Sequence, residues 1–188
     1  VINAGGFLIQ TIFGLYILAI MLRFLFQWVK ADFYNPVSQF LVKVTNPPLV
    51  PLRRVIPGLM GIDLAAVVLM LVLQVIEVEL LLLIKGANIT IPGLLVYSLV
   101  ELLSLGINVF FFSILIQVIL SWVNPGAYNP VTALLYSLNE PLMRPARRIL
   151  PPISGFDLSP ILALVFLQLL TFLVINPLLD VAAYLMRG

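Results

Sequence analysis

Four stretches of this 188-residue chain are apolar over lengths that match the hydrocarbon thickness of a bilayer, and no other feature constrains the fold as tightly. Phe7–Val29 is nearly all apolar, with Arg23 and Gln27 near its far end. At helical rise it measures roughly 34 Å, enough to cross with some tilt. Leu64–Ile84 follows Asp63 and stops before Lys85-Gly86. Pro92-Gly93 opens a long run that reaches Trp122. Leu158–Met186 is interrupted by Asn176-Pro177, which predicts a kink or an early end. The connection Gly86–Pro92 is short and turn-prone, whereas Lys30–Ile62 and Asn124–Phe156 are each about thirty residues, too long for simple turns.

Composition removes whole classes of function. Hydrophobic residues make up 62% of the chain and charged residues 10%, far from the balance of a soluble domain, so a water-soluble enzyme and a disordered tail are both excluded. With no Cys and no His, no thiolate nucleophile, disulfide, Cys/His metal site or imidazole acid–base residue is possible. There is no P-loop, no G-x-G-x-x-G and no paired-carboxylate motif, and the serines have no candidate base. The expectation is a non-enzyme without cofactor or metal. Net charge is only +2 with no basic run, so nucleic acid is not an expected partner. The N-terminal stretch lacks the basic n-region and cleavage site of a signal peptide, so it is expected to be a permanent span.

Cation placement predicts topology. Lys30, Lys43, Arg53 and Arg54 lie in the first long connection and Arg144, Arg147 and Arg148 in the second, against Lys85 and Arg187 on the opposite side. The positive-inside rule puts both long connections in the cytoplasm and both termini outside.

The chain is also a tandem duplication. Trp28 aligns with Trp122, an offset of 94 (122 less 28), and the match runs on without a gap. Between Trp28–Ala66 and Trp122–Pro160 about fifteen of roughly forty positions are identical. They include Tyr34/Tyr128, Asn35/Asn129, Pro36/Pro130, Pro47/Pro141, Pro51/Pro145, Arg53/Arg147, Arg54/Arg148, Pro57/Pro151, Gly61/Gly155 and Asp63/Asp157. Each unit is span, connecting segment, span, and an even number of spans gives both units the same orientation, a parallel repeat. The units divide as 1–90 and 91–188. Within each segment, Asn35-Pro36 and Asn129-Pro130 read as helix starts, Asn capping and Pro first in the helix. Val37, Phe40, Leu41 and Val44, and Val131, Leu134, Leu135 and Leu138, form an apolar stripe, with Ser38, Gln39, Lys43 and Thr45 on the opposite face. Such a helix is expected to lie along the inner interface and to end at Pro47 or Pro141. A shorter turn is then expected from Pro51 or Pro145 to Pro57 or Pro151, carrying the Arg-Arg pair.

The pattern W…YNP…P-x-x-x-P-x-R-R-x-[IL]-P…G-x-D resembles the YGGT repeat of the YggT/YlmG family, over essentially the whole chain. DFYNPVSQFLVKVTNP and PLRRVIP are similar to the two-repeat proteobacterial members. The resemblance implies an integral protein of the bacterial inner membrane, linked to envelope or osmotic stress, to cell-division neighbourhoods and, in plastid relatives, to cytochrome complex assembly.

The residues themselves give three candidate groups. Arg53, Arg54, Arg147 and Arg148, with Lys43 and Arg144, suit anionic lipid headgroups or a protein partner, beyond holding the connections in the cytoplasm. Asp63 and Asp157 read as caps of the spans that follow, with neutralisation of an Arg of the same unit as the alternative. Within the spans, Arg23 is expected either to reach the interface or to pair with Asp63. Gln74, Glu77, Glu79, Glu101, Asn108, Gln117 and Gln168 are expected to bond between helices, or else to line an ion path. The overall expectation is an all-α polytopic protein of four spans in two tandem units, each with an amphipathic interfacial helix. Its expected role is a non-enzymatic scaffold or assembly protein, alone or as a homo-oligomer, that binds anionic lipid or a partner. The rival reading is an ion channel or osmotic-stress transporter.

Overall fold

The computed structural model of the chain describes residues 4–59, 61–86, 90–123, 129–151 and 157–187. Tyr128 and Gly155 of the repeat alignment lie outside these residues. Among the described residues all regular structure is helical: α1 (Ala4–Trp28), α2 (Pro36–Val55), α3 (Leu64–Lys85), α4 (Ile91–Val123), α5 (Pro130–Ile149), α6 (Ser159–Leu170) and α7 (Asn176–Arg187). Helices α1, α3 and α4, together with α6–α7 taken as one rod, are long and apolar enough to cross a membrane. Helix α1 packs along α3, α4 along α6 and α7, and the two halves meet mainly where α3 lies against α4.

Both halves run the same way. At one end α2 touches α5, and the Asn35 amide donates to the Pro130 carbonyl at 2.7 Å. At the other end the Thr90 hydroxyl, at the start of α4, bonds the Leu185 carbonyl of α7. There Gly93 is mandatory, since a Cβ would stand 2.7 Å from the Met186 backbone. Gly86 closes α3 with φ 64, a left-handed cap that glycine adopts at no steric cost. The main core joins Ile17, Ile20 and Leu25 of α1 to Leu49, Ala65, Leu69 and Met70, and takes in Leu102, Val109 and Leu138 of the second half. A second cluster, Ile114, Met143, Ala146, Ala163 and Leu167, belongs to the second half alone.

Three expectations are corrected. Helices α2 and α5 do not end at Pro47 and Pro141, and no separate shorter turn follows; each is a single helix of 20 residues running through its prolines. The reason is packing: Leu41, Thr45 and Leu49 are buried at i, i+4 and i+8, and that stripe crosses Pro47 only if helical phase is kept. In α5 the buried set Leu138, Met143 and Ala146 spans Pro141 and Pro145 in the same way. The expected polar face of α2 is also partly buried. Ser38 and Thr45, expected on the polar face, point inward with Leu41, while Phe40 and Val44 are exposed. Finally, of the kink and the early end expected at Asn176-Pro177, the early end does not occur. The helix widens at Thr171–Ile175 into a π-helical turn, in which the Asn176 N–H reaches back to the Thr171 carbonyl, and then continues to Arg187. The wider turn lies just ahead of Pro177, where the ring would crowd the preceding turn and no N–H is available.

Candidate functional site

The polar residues gather where the connecting helices meet their own spans. Helix α2 starts with the Asn35 side chain accepting the Val37 N–H at 3.0 Å. Helix α5 starts with Asn129 accepting from Thr132, while the Thr132 hydroxyl oxygen accepts the Asn129 N–H. In both, Pro36 and Pro130 occupy the first turn, where a missing N–H costs nothing. The far ends are held by the Arg-Arg pairs. Asp63 uses one oxygen to accept the Ala66 N–H, capping α3, and the other to accept from the Arg53 guanidinium. It therefore serves as both cap and counter-ion, the two roles the sequence left as alternatives. In the second half Arg147 contacts Asp157 at 3.5 Å and Glu140 at 3.3 Å. Asp157 accepts the Ser159 N–H at 2.9 Å but stands one residue before the capping position, which Leu158 holds without a side-chain bond, a correction to its expected role as the cap. It is also more exposed, 40% against 6% for Asp63, because α6 begins one residue later.

Each doublet is thus split. The first arginine is tied to the following span, and the second, Arg54 or Arg148, is exposed. Lys43 and Arg144 are exposed on the same helices. Around them lie exposed apolar side chains: Phe40, Val44, Val50 and Val55 on α2, and Val131, Tyr136 and Ile149 on α5. Trp28, Tyr34 and Trp122 are exposed near the ends of the spans.

Arg23 makes no ion pair with Asp63 and reaches the connecting helix α2 instead. It is 9% exposed and donates to the Thr45 hydroxyl at 2.6 Å and the Val42 carbonyl at 3.4 Å. Thr45 faces inward because it shares the buried stripe with Leu41 and Leu49, and so presents the nearest acceptor. At the same positions of the second half, Asn139 donates to the Gln117 side chain at 2.7 Å and Ser113 donates to Asn139. Both halves therefore use one buried polar tie between the first span and the connecting helix, charged in one and neutral in the other. Sequence reasoning missed Thr45, Asn139 and Ser113. The signal was present: Arg23/Gln117 and Thr45/Asn139 are the same two positions of the repeat, polar in both copies.

The remaining span residues differ in burial and partners. Gln74 donates to Glu77 at 3.2 Å within α3, both buried, and Glu101 is half-buried on α4. Gln168, expected to bond between helices, is exposed, as are Glu79 and Asn108; the buried positions near Gln168 are Ala163 and Leu167, on another face of α6. No group of three or more Asp or Glu side chains suited to a metal occurs among the described residues.

These features define a multi-pass membrane protein made of two like-oriented repeats, each a pair of spans joined by a helix bearing an Arg-Arg pair. The CCB3/YggT family model matches residues 2–84 and again 96–178. The chain belongs to the CCB3/YggT family. It is 49% identical to an uncharacterized protein of Pseudomonas aeruginosa over 93% of this chain and 89% of that one. It is 39% identical to the uncharacterized protein YggT of Escherichia coli K12, over 89% and 87%. An uncharacterized protein of Haemophilus influenzae is 35% identical over 86% of each. No solved structure matches the chain.

Proposed function

We propose that the protein is a non-enzymatic scaffold of the bacterial inner membrane, which docks on anionic lipid through α2 and α5 and presents that platform to a protein partner. The carrying observation is the division of labour in the Arg-Arg pairs. Arg53 and Arg147 anchor each helix to its own spans, which leaves Arg54, Arg148, Lys43 and Arg144 uncommitted beside exposed apolar residues. A helix rigidly tied at both ends, with cations and apolar side chains on its free face, suits a charged interface. Each such cation contributes about 1 kcal/mol near an anionic surface. The bond from Asn35 to Pro130 joins the two helices into one surface. This surface lies on the cytoplasmic side in our reading, with both termini outside.

The test compares the parent with a variant carrying Lys43→Gln, Arg54→Gln, Arg144→Gln and Arg148→Gln. In nanodiscs of graded phosphatidylglycerol content, the parent is expected to crosslink to anionic headgroups in a salt-dependent way and the variant weakly. Equal crosslinking removes the lipid reading. A second reading, ion transport, draws on Glu77, buried in a span and bonded to Gln74. Potassium or sodium flux into proteoliposomes that Glu77→Gln abolishes would favour it over the scaffold.

A further inference from the structure

A cavity of about 320 Å³ opens between the end of α1 and the start of α2, in the first half of the chain. Its polar lining is Arg23, Lys30, Arg53, Gln27 and Ser38. We propose that this cavity is a binding site for a phosphate group, presented by an anionic phospholipid whose chains lie against its apolar wall.

Four observations converge on it. First, three of the five polar lining residues are cations, and of these three only Arg53 has a carboxylate of the described residues within ion-pair distance. Arg23 and Lys30 therefore bring positive charge without an ion pair among the described residues, and Arg23 does so from a buried position. Second, Ser38 is 7% exposed and its hydroxyl has no hydrogen-bond partner, although a buried hydroxyl normally finds one. Ser38 is one of the residues that line the cavity, the nearest open space from which an acceptor could reach it. Third, Lys30 has φ 55. Its N–H bonds the Gln27 carbonyl and the Ala31 N–H bonds the Phe26 carbonyl, a helix-closing turn whose left-handed position glycine or asparagine fills more readily. A lysine held there against backbone preference is a mark of function. Fourth, the second half lacks two of these three charges. Gln117 and Asn124 stand at the positions of Arg23 and Lys30, while Arg147 repeats Arg53. The cavity's excess charge therefore does not come with the repeat architecture.

Phe26 and Leu41 supply an apolar wall beside these groups, the arrangement that suits an amphiphile better than a free ion. The site is distinct from the exposed cations of α2 and α5, and the proposal does not rest on their role.

The experiment uses the full chain, purified in dodecyl maltoside and stripped of lipid, with thermal stability and native mass spectrometry as readouts. Phosphatidylglycerol, phosphatidylcholine and inorganic phosphate are added separately to the parent, to Lys30→Asn, and to Arg23→Gln combined with Thr45→Asn. Lys30→Asn relieves the backbone and is expected to fold. Phosphatidylglycerol is expected to stabilise the parent and to stay bound as a single lipid, with affinity about tenfold weaker in either variant. Stabilisation by inorganic phosphate that depends on the same residues would keep the site and replace the lipid by a soluble phosphate. The proposal is overturned if neither source stabilises the parent, or if Lys30→Asn retains the lipid as the parent does. Removing Arg54 and Arg148 instead is expected to leave this single lipid in place, so the failure of one reading is visible without the other.

Discussion

Asp63 offers the sharpest test of how the connecting helices are fixed. It is 7% exposed, caps α3 through the Ala66 N–H at 3.2 Å, and accepts from Arg53 with its second oxygen. Loss of a cap costs about 1 kcal/mol. Loss of a charge-assisted hydrogen bond costs about 1.5–3 kcal/mol, toward the lower end here because the Arg53 side chain is 34% exposed and water takes over part of the interaction. Asp63→Ala is therefore expected to cost about 3 kcal/mol in all. Asp63→Asn keeps an oxygen for the cap and is expected to cost about 1.5 kcal/mol. The duplicated Asp157 is an internal control: its side chain is 40% exposed and its contact with Arg147 is 3.5 Å, so Asp157→Ala is expected to cost only about 1 kcal/mol. Unfolding in mixed micelles of dodecyl maltoside and sodium dodecyl sulfate measures all three. Equal losses for Asp63→Ala and Asp63→Asn would show that the cap contributes nothing. A loss at Asp157 equal to that at Asp63 would refute the argument from burial.

Three further outcomes follow from the same geometry. Thr45→Asn or Arg23→Gln alone is expected to destabilise by about 1–2 kcal/mol, whereas the two together, copying Gln117 and Asn139, recover at least half of the summed loss; strict additivity in a double-mutant cycle would refute an equivalent tie. Gly93→Ala is expected to cost about 1–3 kcal/mol, because its Cβ meets immovable Met186 backbone at 2.7 Å. Gly106→Ala, whose Cβ approaches only the Met21 methyl at 4.0 Å, is expected to be neutral or stabilising, and thermal unfolding of the pair separates the two cases. Pro141→Ala is expected to stabilise by about 1–3 kcal/mol, since α5 runs through that position; a loss of stability would show that the proline shapes the helix.

Much of the architecture could be read directly because its causes are local or repeated. Apolar runs of bilayer length fix the four spans, since no other helix among the described residues is long and apolar enough to cross that thickness. The duplication fixes their pairing into two like units, and the family match to 2–84 and 96–178 reflects the same repeat. Asn-Pro placed each helix start correctly because a cap needs only residues within three positions of itself.

The prolines misled for the opposite reason. Whether Pro47 and Pro141 stop a helix depends on what the residues beyond them can bury, and Leu49, Met143 and Ala146 find their partners on other helices. The same holds for which face of α2 turns inward. Periodicity ranked Phe40 and Val44 with Leu41, but the rotation was settled by Thr45, which meets Arg23 from a span 22 residues earlier. Sequence alone determined the number and order of the spans and their pairing into two repeats, because bilayer thickness and a repeat are properties of the chain read in line. The tertiary structure alone decided which arginine of each pair is tied and which is free, and brought Arg23, Lys30 and Ser38 to one cavity. Those outcomes depend on distances between separate helices, which no local pattern encodes.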